Sequence, residues 1–457
     1  MGFWRQRLRR HPTRVLVGGF AAAILVGALL LTLPVSSVGA RIGLLDALFT
    51  ATSAVCVTGL TVRDTGREFS TFGHVVILGL IQGGGLGITT LSTALFLVFG
   101  QRASLSTHDM VESSFRARHE GRLTSLLAQV CVSTVAIEAI GAALLLPAEL
   151  DRLPPLRAAW YAGFHAISAF CNAGFSLRSA NLIGDRANPA VILPISGLII
   201  LGGLGFGVLT EVGVRLWTRV CGRRAQRFSL HAKVVLATTG ILLLMGTLGF
   251  WTFESGNLLR DTDLRSQVLT SFFASVTPRT AGFNAIDYGQ TTTATLFLTV
   301  VLMLIGGCPG STAGGIKATT LAVLFATARA RLRGRRWANL FGRGVSEMAV
   351  DKAIGVVALV AVLVVGGTLL LSAVELRHAA HVQTPGRSEG LLFEVVSALG
   401  TVGLTTGITP TLTPGGKLIV LVLMFVGRLG PLTVAMAVAR TKPRPTVRLA
   451  EEPLMIG

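Results

Sequence analysis

Cys56-Val57-Thr58-Gly59-Leu60, Cys171-Asn172-Ala173-Gly174-Phe175, Arg279-Thr280-Ala281-Gly282-Phe283 and Gly400-Thr401-Val402-Gly403-Leu404 are four versions of one string in a chain of 457 residues. Their central glycines stand 115, 108 and 121 residues apart. Between 24 and 28 residues beyond each comes a second glycine cluster. These clusters are Gly84-Gly85-Leu86-Gly87, Gly202-Gly203-Leu204-Gly205, Gly306-Gly307-Cys308-Pro309-Gly310 and Gly427-Arg428-Leu429-Gly430. Two glycine motifs that keep step through four repeats mark an internal duplication, and such a repeat decides the architecture before any other feature does.

The sequence around the strings is apolar. Hydrophobic residues make up 51% and charged residues only 14%, against about a quarter charged in soluble proteins, so a soluble globular domain is excluded. Charge-free stretches long enough to cross a bilayer run over 15–40, 69–101, 187–210, 234–253, 288–316 and 353–374. Two more, 123–148 and 418–439, each hold one charge, Glu138 and Arg428 respectively. The first stretch has a small-x-small site at Val38 and Ala40, but it is too long for a signal peptide and seven further spans follow, so it reads as a retained helix. Between odd and even spans lie shorter uncharged segments at 47–62, 158–177, 266–278 and 395–416. These read as re-entrant, because irregular backbone at membrane depth survives only where protein or a cavity shelters it. The expected fold class is an all-α polytopic membrane protein, with eight transmembrane helices and four re-entrant pore helices. They form four pseudo-symmetric helix–pore-loop–helix repeats around a central ion pathway. The repeats divide as 1–100, 101–220, 221–335 and 336–440, with a tail over 441–457.

Charge then sets orientation. The chain has 41 Lys and Arg against 22 Asp and Glu, a formal net charge of +19. Of the 41, 26 fall before the first span, in the loops near 102–122, 215–233 and 329–352, or in the tail; 13 fall on the other side, and Lys317 and Arg428 lie within membrane segments. The richer side is expected to be cytoplasmic, with both termini inside and the re-entrant segments entering from outside. The cluster Arg329 to Arg336 also offers a surface for a docked partner or anionic lipid. The five cysteines (56, 131, 171, 221 and 308) show no metal-ligand spacing and read as buried thiols.

Four half-helices that each run into a glycine-containing extended string can bring four backbones together around one axis. Their carbonyl oxygens can then replace the hydration shell of a monovalent cation, and the partly negative helix C-termini favour that charge. Glycine allows both the backbone angles and the close approach to the ion. The span at 288–316 is interrupted by Gly306-Gly307-Cys308-Pro309-Gly310-Ser311-Thr312-Ala313-Gly314-Gly315-Ile316-Lys317, where proline and five glycines oppose a continuous helix. A phosphate-binding loop is disfavoured, because Ile316 separates Gly315 from Lys317 and Ala318 follows the lysine. Arg428, where the other clusters have Gly85, Gly203 or Gly307, is an intramembrane cation expected to face the pathway. The alternative is a structural partner for Glu138 or for backbone carbonyls. Dispersed histidines and the lack of paired carboxylates argue against a membrane-embedded enzyme.

The segment Thr52 to Leu60, the strings Asn172 to Phe175 and Thr277 to Phe283, and the stretch Gly306 to Lys317 resemble the Trk/Ktr/HKT superfamily of potassium transporters over nearly the whole chain. Eight spans and the ending Glu451 to Gly457 resemble the Ktr membrane subunit most. Cys171 and Cys308 depart from the family pattern, which has Asn and Ser there. The resemblance implies a selectivity filter at Val57, Thr58, Gly59, Asn172, Ala173, Gly174, Thr280, Ala281, Gly282, Thr401, Val402 and Gly403, where potassium meets mostly backbone carbonyls. It implies a gate at Gly306, Gly307, Pro309, Gly310, Ser311, Thr312, Ala313, Gly314, Gly315 and Lys317, with Arg428 hindering the path beside it. Four filter glycines imply potassium; a sodium-selective member is the alternative. A homodimer, a separate cytosolic nucleotide-binding ring of RCK/KTN type that binds ATP or ADP, and sodium as activator also follow from the resemblance.

Overall fold

A computed structural model describes residues 12–99, 123–222, 227–377, 380 and 383–430, without the side chains of 12–13, 88–99 and 123–127. The N-terminal arginines before Arg14, the loop at 102–122, the end of the last span and the tail at 441–457 lie outside the described residues.

Four units follow one another. The first is α1 (Pro12–Leu31), the pore helix α2 (Leu44–Val55) and the closing helix α3 (Thr71–Phe99). The second is α4 (Leu123–Leu150), the pore helix α5 (Pro155–Phe170), and a closing pair α6 (Pro189–Leu204) and α7 (Phe206–Val220). The third is α8 (Leu230–Glu254), the pore helix α9 (Leu264–Val276), the short closing helix α10 (Thr293–Leu304) and α11 (Ala318–Leu332). The fourth is α12 (Glu347–Glu375), the pore helix α13 (Arg387–Gly400) and the closing helix α14 (Pro414–Leu429). A two-residue hairpin, β1 (Asn339–Leu340) with β2 (Arg343–Gly344), lies between α11 and α12.

The leading helix of each unit is long and apolar enough to cross a membrane: Arg14–Leu31, Ala128–Leu150, Leu230–Glu254 and Glu347–Glu375. Only 17–33% of each apolar window is buried inside the protein. The rest presents side chains such as Leu29, Val132, Leu244 and Leu369 outward, which suits a hydrocarbon solvent and not water. The protein is therefore a multi-pass membrane protein of the expected fold class.

The pore helices begin earlier than the uncharged segments do, at Leu44, Pro155, Leu264 and Arg387. Asp46, Arg157, Arg265 and Arg387 lie in their first turns, so a charge-free window cannot see those turns. The closing helices differ more. Only α3 runs unbroken through its glycine cluster. At Gly205 (φ 86°) the chain turns by 110° into α7, and α14 stops at Gly430 (φ 83°). Both are backbone angles that only glycine takes readily. The stretches 187–210 and 288–316 are thus not continuous spans: one bends at Gly205, and the other leaves the helix at Leu304.

Packing closes the units into a ring. Each closing helix lies against the pore helix of the next unit: α3 on α5, α6 on α9, α10 on α13, and α14 on α2. Within units 3 and 4 a carboxylate at the end of the leading helix caps the closing helix. Glu254 accepts from the Thr292 amide at 2.8 Å and the Thr295 hydroxyl at 2.5 Å, and Glu375 accepts from the Thr413 amide at 2.9 Å and its hydroxyl at 2.7 Å. Glu254 is fully buried, so its removal leaves donors without partners, at about 1–3 kcal/mol for each buried group.

The seam between units 4 and 1 carries an ion pair. Asp46 accepts from Lys417 at 2.8 Å and from Arg63 at 2.8 Å. Burial works against its charge, but the hydrogen bonds from Lys417 and Arg63 outweigh burial and hold the carboxyl below its ordinary 3.8. A lowered value in the folded state means stabilisation that is present above the unfolded value and is lost as the pH falls through the folded one. Asp46→Asn should cost about 1 kcal/mol near neutral pH, since Arg63 is partly exposed. Thermal unfolding of the purified protein should show that difference shrink below pH about 4; a difference constant on acidification would refute the assignment.

Candidate functional site

The four strings share a backbone signature that a hydropathy reading cannot give. Val57, Asn172, Thr280 and Thr401 have φ of 53°, 59°, 69° and 50°, and the glycines two residues on have φ of 94°, 69°, 73° and 92°. Left-handed φ is uncommon for residues with a Cβ, yet four of the six described cases fall at this one repeat position.

The hydrogen bonds explain how the conformation is held. In unit 1 the Val57 amide donates to Ala54 O at 3.1 Å, Thr58 to Ser53 O at 2.8 Å, and Gly59 to Ser53 Oγ at 3.0 Å. Unit 4 repeats this with Thr401 to Ala398 O, Val402 to Ser397 O, and Gly403 to Ser397 Oγ at 3.0 Å. In unit 2, Asn172 and Ala173 donate to Ala169 O and Ser168 O, and the Ser168 hydroxyl donates to Phe175 O at 2.8 Å. Unit 3 varies: Pro278 has no amide, Ala281 donates to Thr277 O, and the Thr277 hydroxyl takes the serine's place, donating to Phe283 O at 2.7 Å. Ten of the twelve amides in the four strings, all but those of Gly174 and Thr280, are thus bonded to the pore helix behind or to its capping residue. Among the described residues no hydrogen bond reaches the carbonyls of Thr58, Ala173, Ala281 or Val402.

Those carbonyls form a closed ring. A Cβ built on Gly59 would come within 2.5 Å of Ala173 O, on Gly174 within 2.8 Å of Ala281 O, on Gly282 within 2.4 Å of Val402 O, and on Gly403 within 2.0 Å of Thr58 O. The strings thus succeed one another in chain order around an axis, and strings 2 and 4 face each other across it. Buried carbonyls without partners are rare and need an explanation. Chemically, four such dipoles converging at close quarters can replace the hydration shell of a monovalent cation.

The second glycine clusters make the strings possible from behind. A Cβ on Gly84, Gly202 or Gly427 would lie 1.9–2.1 Å from the carbonyl of Val55, Phe170 or Leu399 at the end of the same unit's pore helix. In unit 3 the corresponding Gly306 presses instead on Gly314 O, so the interrupted segment fills the place that a pore-helix end occupies elsewhere.

That segment, 305–317, folds into the ring. Its stem is tied by Gly306 N to Ile316 O at 2.9 Å, Ile316 N to Leu304 O at 3.1 Å, and Ala318 N to Gly307 O at 3.1 Å. It clasps the break in α6–α7 through Cys308 N to Gly203 O at 3.0 Å, Thr312 N to Gly202 O, and Phe206 N to Gly310 O at 3.3 Å. Pro309 O lies against Gly205, Ser311 Oγ donates to Cys308 O at 2.6 Å, and Lys317 Nζ donates to Ala313 O at 2.7 Å. Gly310 and Gly315 supply positive φ of 73° and 64°. Thr312 Oγ1 lies 3.2 Å from the Asn172 amide group of string 2, whereas Gly314 abuts the Thr401 hydroxyl of string 4. A segment that touches opposite strings at their inner ends crosses the axis.

Arg428 holds it there. The side chain is 6% exposed and donates from Nη1 to Thr312 O at 2.5 Å and from Nη2 to Gly84 O at 2.7 Å. It joins units 4, 3 and 1. Arg428 does not pair with Glu138, which accepts from Gln82 Nε2 at 3.1 Å and lies 3.8 Å from Cys171 Sγ. Cys56, Cys171 and Cys308 are buried as expected, but Cys131, on α4, and Cys221, in the turn after α7, are exposed. Among the described residues no group of His, Cys, Asp and Glu could hold a metal.

The hydroxyls at Ser53, Ser168 and Ser397, six residues before their glycines, hold the strings in place and were missed by the string-centred reading. Their own fixed spacing is the signal that could have found them. The close approach of the second clusters is testable: Gly202→Ala should abolish folding or ion flux, whereas Gly79→Ala, in open space on α3, should leave both intact. Comparable flux from the two variants would contradict the packing argument.

Comparisons with known proteins agree with this architecture. Residues 12–448 match the TrkH family, described as a cation transport protein. The chain is 37% identical to the potassium/sodium uptake protein NtpJ of Enterococcus hirae over 457 residues, covering 99% of both chains. It is 40% identical to the Ktr system potassium uptake protein B of Bacillus subtilis over 442 residues, covering 95% of this chain and 94% of the relative. The crystal structure of the potassium transporter TrkH from Vibrio parahaemolyticus superposes with a TM-score of 0.74 at 19% identity, over 94% of this chain and 85% of that one, which supports the fold.

Proposed function

Because the chain belongs to the TrkH family of cation transport proteins, and is a transporter and not an enzyme, we propose that it takes potassium ions up across the cell membrane through the axis of the four strings. The observation that carries this reading is the ring of uncommitted carbonyls at Thr58, Ala173, Ala281 and Val402, held by positive φ at eight matched positions. Potassium sheds water as it enters, and the carbonyls of Val57 to Gly59, Asn172 to Gly174, Thr280 to Gly282 and Thr401 to Gly403 take the water's place. The pore-helix C-termini add their partly negative ends. Segment 306–317 is the gate. Its crossing between strings 2 and 4, latched by Arg428, is the closed arrangement, and opening withdraws Thr312 and Gly314 from the axis.

The excess of basic residues on the loop side supports a cytoplasmic placement of both termini. Relatives named as parts of a Ktr system support a multi-component assembly. On this reading the chain is a homodimer controlled by a cytosolic nucleotide-binding ring, to which ATP or ADP binds, with sodium as activator. Sodium as a second cargo is favoured by the likeness to NtpJ, a potassium/sodium uptake protein.

Uptake in a potassium-transport-deficient bacterium, with and without a candidate cytosolic partner, tests the reading. Growth at low potassium should be restored, and Gly59→Ser should lower the preference for potassium over sodium. No rescue in either background, or an unchanged ion ratio in Gly59→Ser, would sink it. Arg428→Ala should raise basal flux in vesicles by releasing Thr312; a folded variant with unaltered flux would remove Arg428 from the gate.

A further inference from the structure

At one matched pair of positions a buried pore-helix side chain is bonded to a side chain beyond the string glycine, and this occurs in two of the four units. His165 and Glu394 stand nine residues before Gly174 and Gly403, and Ser176 and Thr405 stand two residues after them. His165 Nδ1 donates to Tyr161 O at 2.8 Å, which leaves Nε2 to accept from the Ser176 hydroxyl at 3.0 Å. Glu394, fully buried, accepts from the Thr405 hydroxyl at one oxygen and from the Thr409 hydroxyl at 2.8 Å at the other. The Thr405 hydroxyl oxygen in turn accepts from the Gly407 amide at 3.0 Å.

The same positions are Thr50 and Thr61 in unit 1, and Phe273 and Asn284 in unit 3. Thr50 donates to Asp46 O within its own helix, Phe273 has no polar atom, and Asn284 Oδ1 has no partner. Among the described residues neither pair is bonded. Strings 2 and 4 face each other across the axis, and they alone carry this side-chain-to-side-chain clamp among the described residues.

We propose that His165 and Glu394 are positioning residues that fix the outer ends of strings 2 and 4, and that these clamps limit how far the two strings draw inward around a smaller cation. The inference rests on the strings being the ion filter. A smaller ion gains by drawing carbonyls inward, and the ring discriminates to the extent that its strings resist. The amide bonds to the pore helix hold the inner end of every string. The hydroxyl clamp adds a second anchor on strings 2 and 4, beyond the glycine. String 3 is held beyond its glycine only through backbone carbonyls, Phe283 O by the Thr277 hydroxyl at 2.7 Å and Asn284 O by the Leu182 amide at 2.9 Å, and among the described residues string 1 has no such bond.

The test is the potassium-to-sodium uptake ratio of the full chain in proteoliposomes, with thermal stability measured on each purified variant. His165→Leu, Glu394→Ala, Ser176→Ala and Thr405→Val should each lower the ratio about three- to tenfold, the equivalent of one net hydrogen bond. Ser176→Ala and Thr405→Val remove only the hydroxyl and keep the question open to measurement if the larger changes do not fold. Glu394→Gln, which still accepts from one threonine, should keep the wild-type ratio, and so should Thr50→Ala. A wild-type ratio in folded Ser176→Ala and Thr405→Val, or a uniform loss of flux at constant ratio, overturns the clamp. Gly174→Ser serves as the reference: if it too leaves the ratio unchanged, the filter reading fails and not the clamp alone.

Discussion

Four short stretches of backbone have most of their amides bound behind and the carbonyls of Thr58, Ala173, Ala281 and Val402 free in front, and the rest of the protein follows from that constraint. A free carbonyl in an apolar interior is costly, so a chain that holds four of them together must over-determine their geometry. The serine or threonine at the end of each pore helix fixes the string. The pore helix must then end within reach of that string, and the closing helix must approach the same end closely enough that a Cβ would collide with a carbonyl. Ring closure, with each closing helix on the next pore helix, converts four separate strained turns into one mutually supported structure.

The fourfold rule is kept where the strings are and broken in the closing helices behind them. Gly87 lets α3 continue, Gly205 bends its helix by 110°, Gly430 ends α14, and unit 3 leaves the helix altogether at Ile305. Gly87, Gly205 and Gly430 hold one repeat position, and unit 3 leaves the helix about one turn before it. These differences leave room on one side of the ring for a segment that unit 3 alone supplies, and Gly306 receives that segment where Gly84, Gly202 and Gly427 receive a pore-helix end. A duplicated unit has thus been modified at one position per copy without disturbing the carbonyls.

The strings, their spacing and the glycine clusters were legible in the sequence because close backbone approach demands glycine, and glycine in step is visible without structure. Helix continuity was not. Gly87 and Gly205 are the same letter at the same repeat position, yet one lies mid-helix and the other at a 110° bend; the partner that fills the bend comes from Cys308 to Gly310, about a hundred residues away. Windows free of charge also misplace pore-helix starts, since their first turns carry charge near the membrane face. Phe49, Phe164, Phe272 and Phe393 each stand ten residues before a string glycine. That period, like the serine period, lay in the sequence but was masked by the apolar background around it.

The intramembrane charges show what spacing cannot decide. Glu138 and Arg428 are opposite in sign and both buried, and a sequence reading can pair them. The structure gives Glu138 to Gln82 and the Cys171 neighbourhood behind string 2, and gives Arg428 to two carbonyls, one of them on the crossing segment. The difference matters physically. Breaking a buried ion pair leaves an uncompensated charge and costs about 3–5 kcal/mol, too deep a hold for a part that must move. A guanidinium on two carbonyls is a shallower hold, because water entering an opening pathway can replace one neutral acceptor with another. Under the proposed gating role, Arg428 is strong enough to latch Thr312 across the axis and weak enough to release it, and an acidic partner at that point would have locked the path shut.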